Sequence, residues 1–530
     1  VAGGCSGPGG LFRAGADWIS GAAGHDAGSV LMDAVSLIRS GQETETPWRF
    51  RLDELGWRDM VTALGQDTLP FAGLWCDGAD VHALFMPSPT QPLAATLALE
   101  NGRYPALSPA RAVSSLYERM AYDLYGVEAM WAVDVRPLVD HEVWSATAPL
   151  DASPGLAGGR KGQISFQPSE TLLAAGGVTG GVGPATGGTE TSLHVAMAVS
   201  GETIVAAETV SGYAHRGLAA RWRNSRLEDA CRLSGRVVAG CSVAHQAAFS
   251  QAVEAACGSK VGPETALIRV VLMELERILL HLHTLAGLAR GAGALLVASR
   301  CAWFREKLLA LSAPVIGSRL LMDHCVPGGT RLREATGLGD LCTSLAKLGD
   351  EIYPGLATLW QTYPALSVRL SGVGPVDAAL LDRVGLDGPV ARAAGRDCDG
   401  RRTQRVYQSL WRLTAGRQGG TAEDRALILL DEIGESLRML GEAGPRLGLT
   451  AGGRVDLSPD AGEGLGMAEG PWGTVLYWVR LHAGRVAQVF VHDPAPAALM
   501  VFEAALPGQD LADLGLLRQS LGVNAAALDG

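Results

Sequence analysis

Apolar and polar positions alternate in two stretches near the start of the chain, "DVHALFMP" (80–87) and "MWAVDVRPL" (130–138). A period of two predicts half-buried strands. Between them, "SPARAVSSLYERMAYDLYG" (108–126) carries its apolar residues at helical spacing. Ser108 and Pro109 serve as cap and first helical position, and Gly126 closes the helix. Residues 1–144 therefore predict a small α/β domain. The stretch 145–162, rich in Ala, Pro, Gly and Ser, reads as a linker to a second domain, 163–530. That domain opens with a hairpin, "SLHVAMAV" and "TIVAAETV" around "SGE". From 225 onward the pattern is helical. The clearest helix is 264–286, with Gly262 and Pro263 before it and Gly287 at its end. Apolar residues cover most of its circumference, so it should be central and buried. Glu274, Arg277 and His281 stand on one face of it, three and four residues apart. Buried together, they must pair with one another or serve a site.

Composition narrows the function classes. The 530 residues are 47% hydrophobic and 19% charged, which is globular and enough for two or more domains. A formal net charge of -11 argues against a nucleic-acid binder. The nine cysteines form no CxxC pair. That removes the strongest sign of a zinc or thiolate site, and the odd, scattered count suggests reduced thiols in the cytoplasm. No uninterrupted apolar run reaches 18 residues, and "VAGGCSGPGG" lacks the basic and apolar segments of a signal peptide. "GGVTGGVG" (176–183) has close glycines but no clear strand before it or helix after it, so it reads as a hairpin tip and not a phosphate loop.

"RVVAGCSVAH" (236–245) carries one thiol, Cys241, and one imidazole, His245. Val238 stands three residues before the thiol, where a metal loop wants a second sulfur.

Two separate stretches resemble one family. "YERMAYDLYGV" (117–127), with Glu118, Arg119, Asp123 and Gly126, is similar to the signature of the 30-kDa subunit of respiratory complex I. The later motifs run in the order of the 49-kDa subunit of complex I and of the large subunit of group 4 [NiFe] hydrogenases. They are "GYAHRGL" (212–218), the 236–245 loop, "MELERILLHL", "REKLLAL" (305–311), "VPGGTRLRE" (326–334), "GPVARAAGRDCDGR" (388–401), "EGPWG" (469–473) and the C-terminal segment 505–530. The resemblance implies an α+β chain: an α/β domain of the 30-kDa kind, then a mainly helical 49-kDa-like domain with a small β-sheet. Both types in one chain is the arrangement of formate hydrogenlyase-like (hydrogenase-4-like) large subunits.

The resemblance also shows what is missing. In the hydrogenases two CxxC pairs hold nickel and iron, and the matching positions here are Val238, Cys241, Asn524 and Ala527. One sulfur of four remains, so the expectation is a lost nickel site. In complex I the same cavity takes a quinone headgroup, with a His on the first hairpin and a Tyr on the first loop as proton donors. Those positions fall near Thr186 and Ala239, and neither donor is present. His245, His194 and Tyr213 are the substitutes nearest in sequence, although His245 can equally be a satisfied core residue. The resemblance places His215 and Arg216 near an iron–sulfur cluster of a partner. It gives Glu274, Arg277, His281, Arg392, Asp399 and Arg401 structural and interface roles.

The expected function is electron transfer from a partner's [4Fe-4S] cluster to a quinone, with possible coupling to proton translocation. The partners implied are an iron–sulfur small subunit of the complex I 20-kDa type and membrane-arm subunits, ND1-like and antiporter-like. The chain would bind no cofactor itself and sit peripherally on the cytoplasmic face of the membrane. Two alternatives stand beside this: a non-catalytic connector in such a complex, and an active group 4 [NiFe] hydrogenase.

Overall fold

The alternating stretch at 80–87 becomes the second-from-edge strand of a five-stranded sheet. Its strands are β1 (Gln42–Glu43), β2 (Arg49–Leu52), β3 (Phe71–Cys76), β4 (Asp80–Ser88) and β5 (Gln91–Ala98), in the spatial order β1-β2-β5-β4-β3. The computed structural model describes residues 32–88, 91–156, 167–185, 191–412, 416–448, 453–458 and 460–529. β3, β4 and β5 form an antiparallel meander, while β2 runs parallel to β5. The helices α1 (Ala34–Arg39), α2 (Glu54–Leu64) and α3 (Ser114–Tyr125) complete this region. α3 begins five residues later than its sequence suggests. The buried carboxylate of Glu118 turns back to accept the N–H groups of Leu107 (2.6 Å) and Ser108 (2.9 Å) and the Ser114 hydroxyl (3.1 Å). That holds 107–113 in turns. Gly126, in the left-handed conformation, ends the helix as expected. The strand expected at 130–138 is confined to Glu128–Met130. Trp131 takes a positive φ, and Asp134 gathers Arg119 and Arg136 into a turn.

The chain divides into two compact units, Val1–Pro137 with Ala146–Leu156, and Leu138–Ser145 with Ala157–Gly530. Of the stretch read as a linker, Ala146–Leu156 packs with the first unit, and residues 157–162 lie outside the described residues.

The second unit starts with a three-stranded sheet, β6 (Val178–Val182), β7 (His194–Ser200) and β8 (Thr203–Val210). The predicted hairpin is β7–β8, with His194 opposite Val210. The tip containing Thr186 lies outside the described residues. Helices follow: α4 (Ser242–Ala256), α5 (Pro263–Gly291), α6 (Leu295–Ile316), α7 (Leu338–Thr362), α8 (Gly388–Ala393) and α9 (Ala422–Ala443). A second meander is β9 (Ala461–Gly470), β10 (Gly473–His482) and β11 (Arg485–His492), after which come α10 (Ala495–Ala505) and α11 (Leu514–Ser520). The α+β architecture expected from the resemblance is the one found.

α5 is the axis of this unit. It is buried on nearly every side, and α6 and α9 pack along it. It runs through Gly287, where the sequence predicts its end. A Cβ there would collide with the Gln519 side chain, so that glycine serves the close approach of α11 and does not cap the helix.

α4 lies directly on β9, and the contact is made of very small residues. "AGEGLGMAEG" places Gly462, Gly464 and Gly466 at every second position, hence on one face of the strand. A Cβ on Gly466 would fall on the Ala248 carbonyl, and one on Gly464 on that of Ala252. The helix meets them with Ala248, Ala252 and Ala256, four residues apart. This approach fixes α4, and with it the loop carrying Cys241. Gly466→Ala should therefore cost about 1–3 kcal/mol through overpacking. Gly453→Ala, at a position with open space, should change nothing measurable. Thermal unfolding of the two variants beside the parent tests this.

Candidate functional site

Glu276, Leu280, His283, Gly287 and Arg290 recur at three and four residues along α5 and form one face. That face lines a cavity of about 960 Å³. The other walls come from the loop Val238–Ser242, the "EGPWG" turn (Gly470, Trp472, Gly473), Asp493 just after β11, and Asn524 near the C-terminus. Three of the four positions singled out in the sequence by resemblance, Val238, Cys241 and Asn524, reach the cavity wall. Ala527 is buried nearby in sequence and is absent from the wall.

Arg216 and Asp529 tie the two loops together. The Arg216 guanidinium donates to the carbonyls of Arg236 (2.6 Å), Val237 (2.9 Å) and Ala526 (2.8 Å), residues adjacent or near to positions 238 and 527. Its Nε donates to Asp529 at 2.8 Å. The backbone N–H groups of Arg216 and Gly217 donate to the same carboxylate, each at 2.9 Å. His215 lies 2.8 Å from Asp529 and stacks on Trp144. Burial alone would raise the Asp529 pKa, but His215 and Arg216 hold it below its ordinary value.

The wall beside the loop is acidic. Glu276 accepts the N–H groups of Val243 (2.7 Å) and Ala244 (3.0 Å) at the start of α4. Burial outweighs those bonds and pushes its carboxyl up to about 8, so it holds a proton at neutral pH. Burial, then Glu276 and Asp493, push the Cys241 thiol well above its ordinary value, so it stays protonated. Behind the wall, His245 bridges Asp493 (3.1 Å from Nε2) and the Tyr477 hydroxyl (2.9 Å from Nδ1).

Beneath the wall lies a buried ionic network. Arg277 donates to the carbonyls of Glu469 (2.7 Å) and Gly470 (2.9 Å) and lies 3.3 Å from both Glu274 and Glu432. Glu432 also takes His281 at 2.9 Å and Arg392 at 2.5 Å. Arg401 spans Asp399 (2.7 Å) and Glu274 (3.3 Å), and Glu274 further accepts the hydroxyls of Tyr407 (2.8 Å) and Ser436 (2.6 Å). Burial opposes ionisation of Glu432, yet Arg392 and His281 hold its pKa well below the usual range. Glu469 goes the other way: burial, then Asp387 and Asp399, push it up to about 8.

The structure brings Glu274, Arg277, His281, Arg392, Asp399 and Arg401 into this single network. It places Val238, Ala239 and Cys241 on the cavity, with His245 fully buried one residue behind the wall. His194 and Tyr213 lie off the wall. His194 opens β7 with Nδ1 3.4 Å from the Gly183 carbonyl, and Tyr213 stacks on His141. Sequence reasoning missed Glu276, Asp493, Glu432, Glu469 and Asp529. Glu276 was visible beside Glu274 in "MELER", on a different face of the helix from the 274/277/281 stripe. Asp529 carried no local signal, because its partners are more than 300 residues away.

Residues 292–455 match the family model described as respiratory-chain NADH dehydrogenase, 49 Kd subunit. The carbon monoxide-induced hydrogenase of Rhodospirillum rubrum is 27% identical, covering 56% of this chain and 84% of its own length. An NADH-quinone oxidoreductase subunit of Solibacter usitatus is 26% identical, covering 68% of this chain and 100% of its own. Among solved structures, a chain of the membrane-bound sulfane sulfur reductase, an archaeal respiratory membrane complex, superposes with a TM-score of 0.60 at 22% identity. That match covers 69% of this chain and 100% of the other.

Removing the Glu432 charge leaves two guanidinium groups and an imidazole without their shared anion. Glu432→Gln should cost about 3–5 kcal/mol. Arg402→Ala, which removes an exposed ion pair with Asp397 and a contact over the Trp411 ring, should cost about 1 kcal/mol. Denaturant unfolding of both variants measures the difference.

Proposed function

We propose, from the match of residues 292–455 to the model of the 49 Kd subunit of respiratory-chain NADH dehydrogenase and from the likeness to membrane hydrogenases, that the chain reduces a quinone-class acceptor in the cavity beside residues 238–242. The chain is a peripheral subunit of a membrane-associated complex. Electrons arrive from an iron–sulfur cluster in a small partner subunit, and His215 and Arg216 face that partner. Among the described residues no helix is long and apolar enough to cross a membrane, so contact with the membrane arm is made through partner chains.

One observation carries this reading: a cleft of about 960 Å³, open at one side and lined largely by apolar residues, lies against the loop 238–242. A concave, mainly apolar site with a few convergent polar groups is the usual form of a small-molecule site. The donor set does not fit a nickel–iron centre. Val238 and Ala527 have no coordinating atom, Asn524 is a hard donor, and Cys241 is held as a neutral thiol. No hydrogen chemistry is assigned to the chain.

Reduction of a quinone to its hydroquinone takes two electrons and two protons, one proton to each carbonyl oxygen. The electrons come from the partner's cluster. Glu276, protonated at neutral pH on the wall, supports one proton delivery. Asp493, backed by His245 and Tyr477, supports the other. His245 thus acts through Asp493 and does not touch the acceptor. Proton translocation, if coupled, resides in the membrane-arm chains.

Filling the void tests the reading. Val238→Trp in the intact complex should lower quinone reduction at least about tenfold while reduction of an artificial dye by the electron-donating subunits persists. Unchanged quinone reduction would return the chain to the connector reading. The rate should also fall as pH rises through about 8, where Glu276 loses its proton. Glu276→Gln should lower the rate and remove that alkaline limb.

A further inference from the structure

The cavity is polarised along its length. Among the described residues its wall carries two carboxylates, Glu276 and Asp493, and both stand beside Cys241. An imidazole and the guanidinium groups lie on other parts of the wall. His283 is seven residues beyond Glu276 on the α5 face, and Arg290 fourteen beyond. At the helical rise those intervals are about 10 Å and about 21 Å. α6 answers from the opposite wall with Ala302, Arg305 and Leu309, at spacings of three and four, and the loop after it contributes Arg319.

These groups feel one another. Burial lowers the His283 pKa, and Arg305 and Arg290 lower it further. Arg305, lowered by burial, also feels Arg319. Arg305 is half-buried and held in place by one bond, its Nε donating to the Leu279 carbonyl at 3.1 Å. Arg319 pairs with Glu306 at 2.7 Å, but both side chains are half exposed or more, so the pair binds it weakly. Arg518, also on the wall, is already engaged with the Thr191 carbonyl. Three guanidinium groups on the wall of one cavity, in a chain of net charge -11, concentrate positive potential there.

We propose that Arg290, Arg305 and Arg319, with His283, form an anion subsite that selects acceptors bearing a negative charge about 10–20 Å from the reducible ring. The inference rests on the acceptor reading above and names the class of acceptor. The acidic, proton-bearing end at Cys241 receives the ring, and the guanidinium end holds the anionic group.

Three quinones with the same ring and a ten-carbon chain ending in carboxylate, hydroxyl or trimethylammonium test this in the intact complex. KM should rise in that order, with about a tenfold advantage for carboxylate over hydroxyl at low ionic strength, shrinking as salt is added. In Arg305→Gln the carboxylate-to-hydroxyl ratio should approach one. In Arg300→Gln, on the exposed part of α6 over Trp303, it should stay near ten. Equal KM values for all three chains, or a ratio insensitive to Arg305→Gln, overturn the subsite. If no quinone is reduced, the acceptor reading falls, and equilibrium dissociation constants for the three compounds still decide the subsite. Carboxylate preference then supports it and parity overturns it. Displacement of the carboxylate compound by short-chain phosphatidylglycerol, but not by inorganic phosphate, would assign the anion to a lipid headgroup and overturn its assignment to the acceptor.

Discussion

Glu432 is the one carboxylate that Arg277, Arg392 and His281 share, and the site is arranged around that shared charge. Each guanidinium is fully or almost fully withdrawn from water. Withdrawal costs several kcal/mol per ion unless an anion lies in contact. Glu432 on α9 meets that demand for Arg277 on α5 and Arg392 on α8 together, so the three helices are held at one point. Arg277 then reaches the carbonyls of Glu469 and Gly470 at the end of β9. The turn that follows, Pro471–Trp472–Gly473, is thereby set against the cavity. The network is thus the frame of the wall, one layer beneath the residues that line the cavity.

Two further contacts bring the former ligand loops to the same place. Small residues let α4 lie on β9, which sets the loop carrying Cys241 against the cavity. The Arg216–Asp529 clamp closes the C-terminal segment against the first loop. The relatives with this fold include a hydrogenase and a quinone oxidoreductase chain, so the scaffold is indifferent to which chemistry its loops carry. In this chain Val238, Cys241 and Asn524 line one cavity, and Ala527 is buried beside it in sequence.

Much of this was legible from residues near in sequence. The hairpin at 194–210 followed from two apolar runs around the turn "SGE", and the central helix from its all-round apolar surface. The pairing demand on Glu274, Arg277 and His281 followed from burial at helical spacing. The partners that satisfy it, Glu432 and Tyr407, sit more than 130 residues away and had no local mark. Gly287 misled for a related reason: a glycine near a helix end reads as a cap, and only the packed Gln519 reveals a close approach. His245 was found in sequence, but that it reaches the cavity only through Asp493 depends on where β11 ends, which periodicity does not give. The proton-bearing state of Glu276 follows from burial on all sides, which is a property of the assembled unit.

The central claim is that the 236–245 loop is a former metal loop now bordering an acceptor cavity. Elemental analysis of nickel in the purified, intact complex tests it most directly. The account predicts nickel near zero per chain, since Cys241 is the one thiol among the four positions. About one nickel per chain would contradict it and would mean that Cys241 and ligands outside the expected positions build a metal centre.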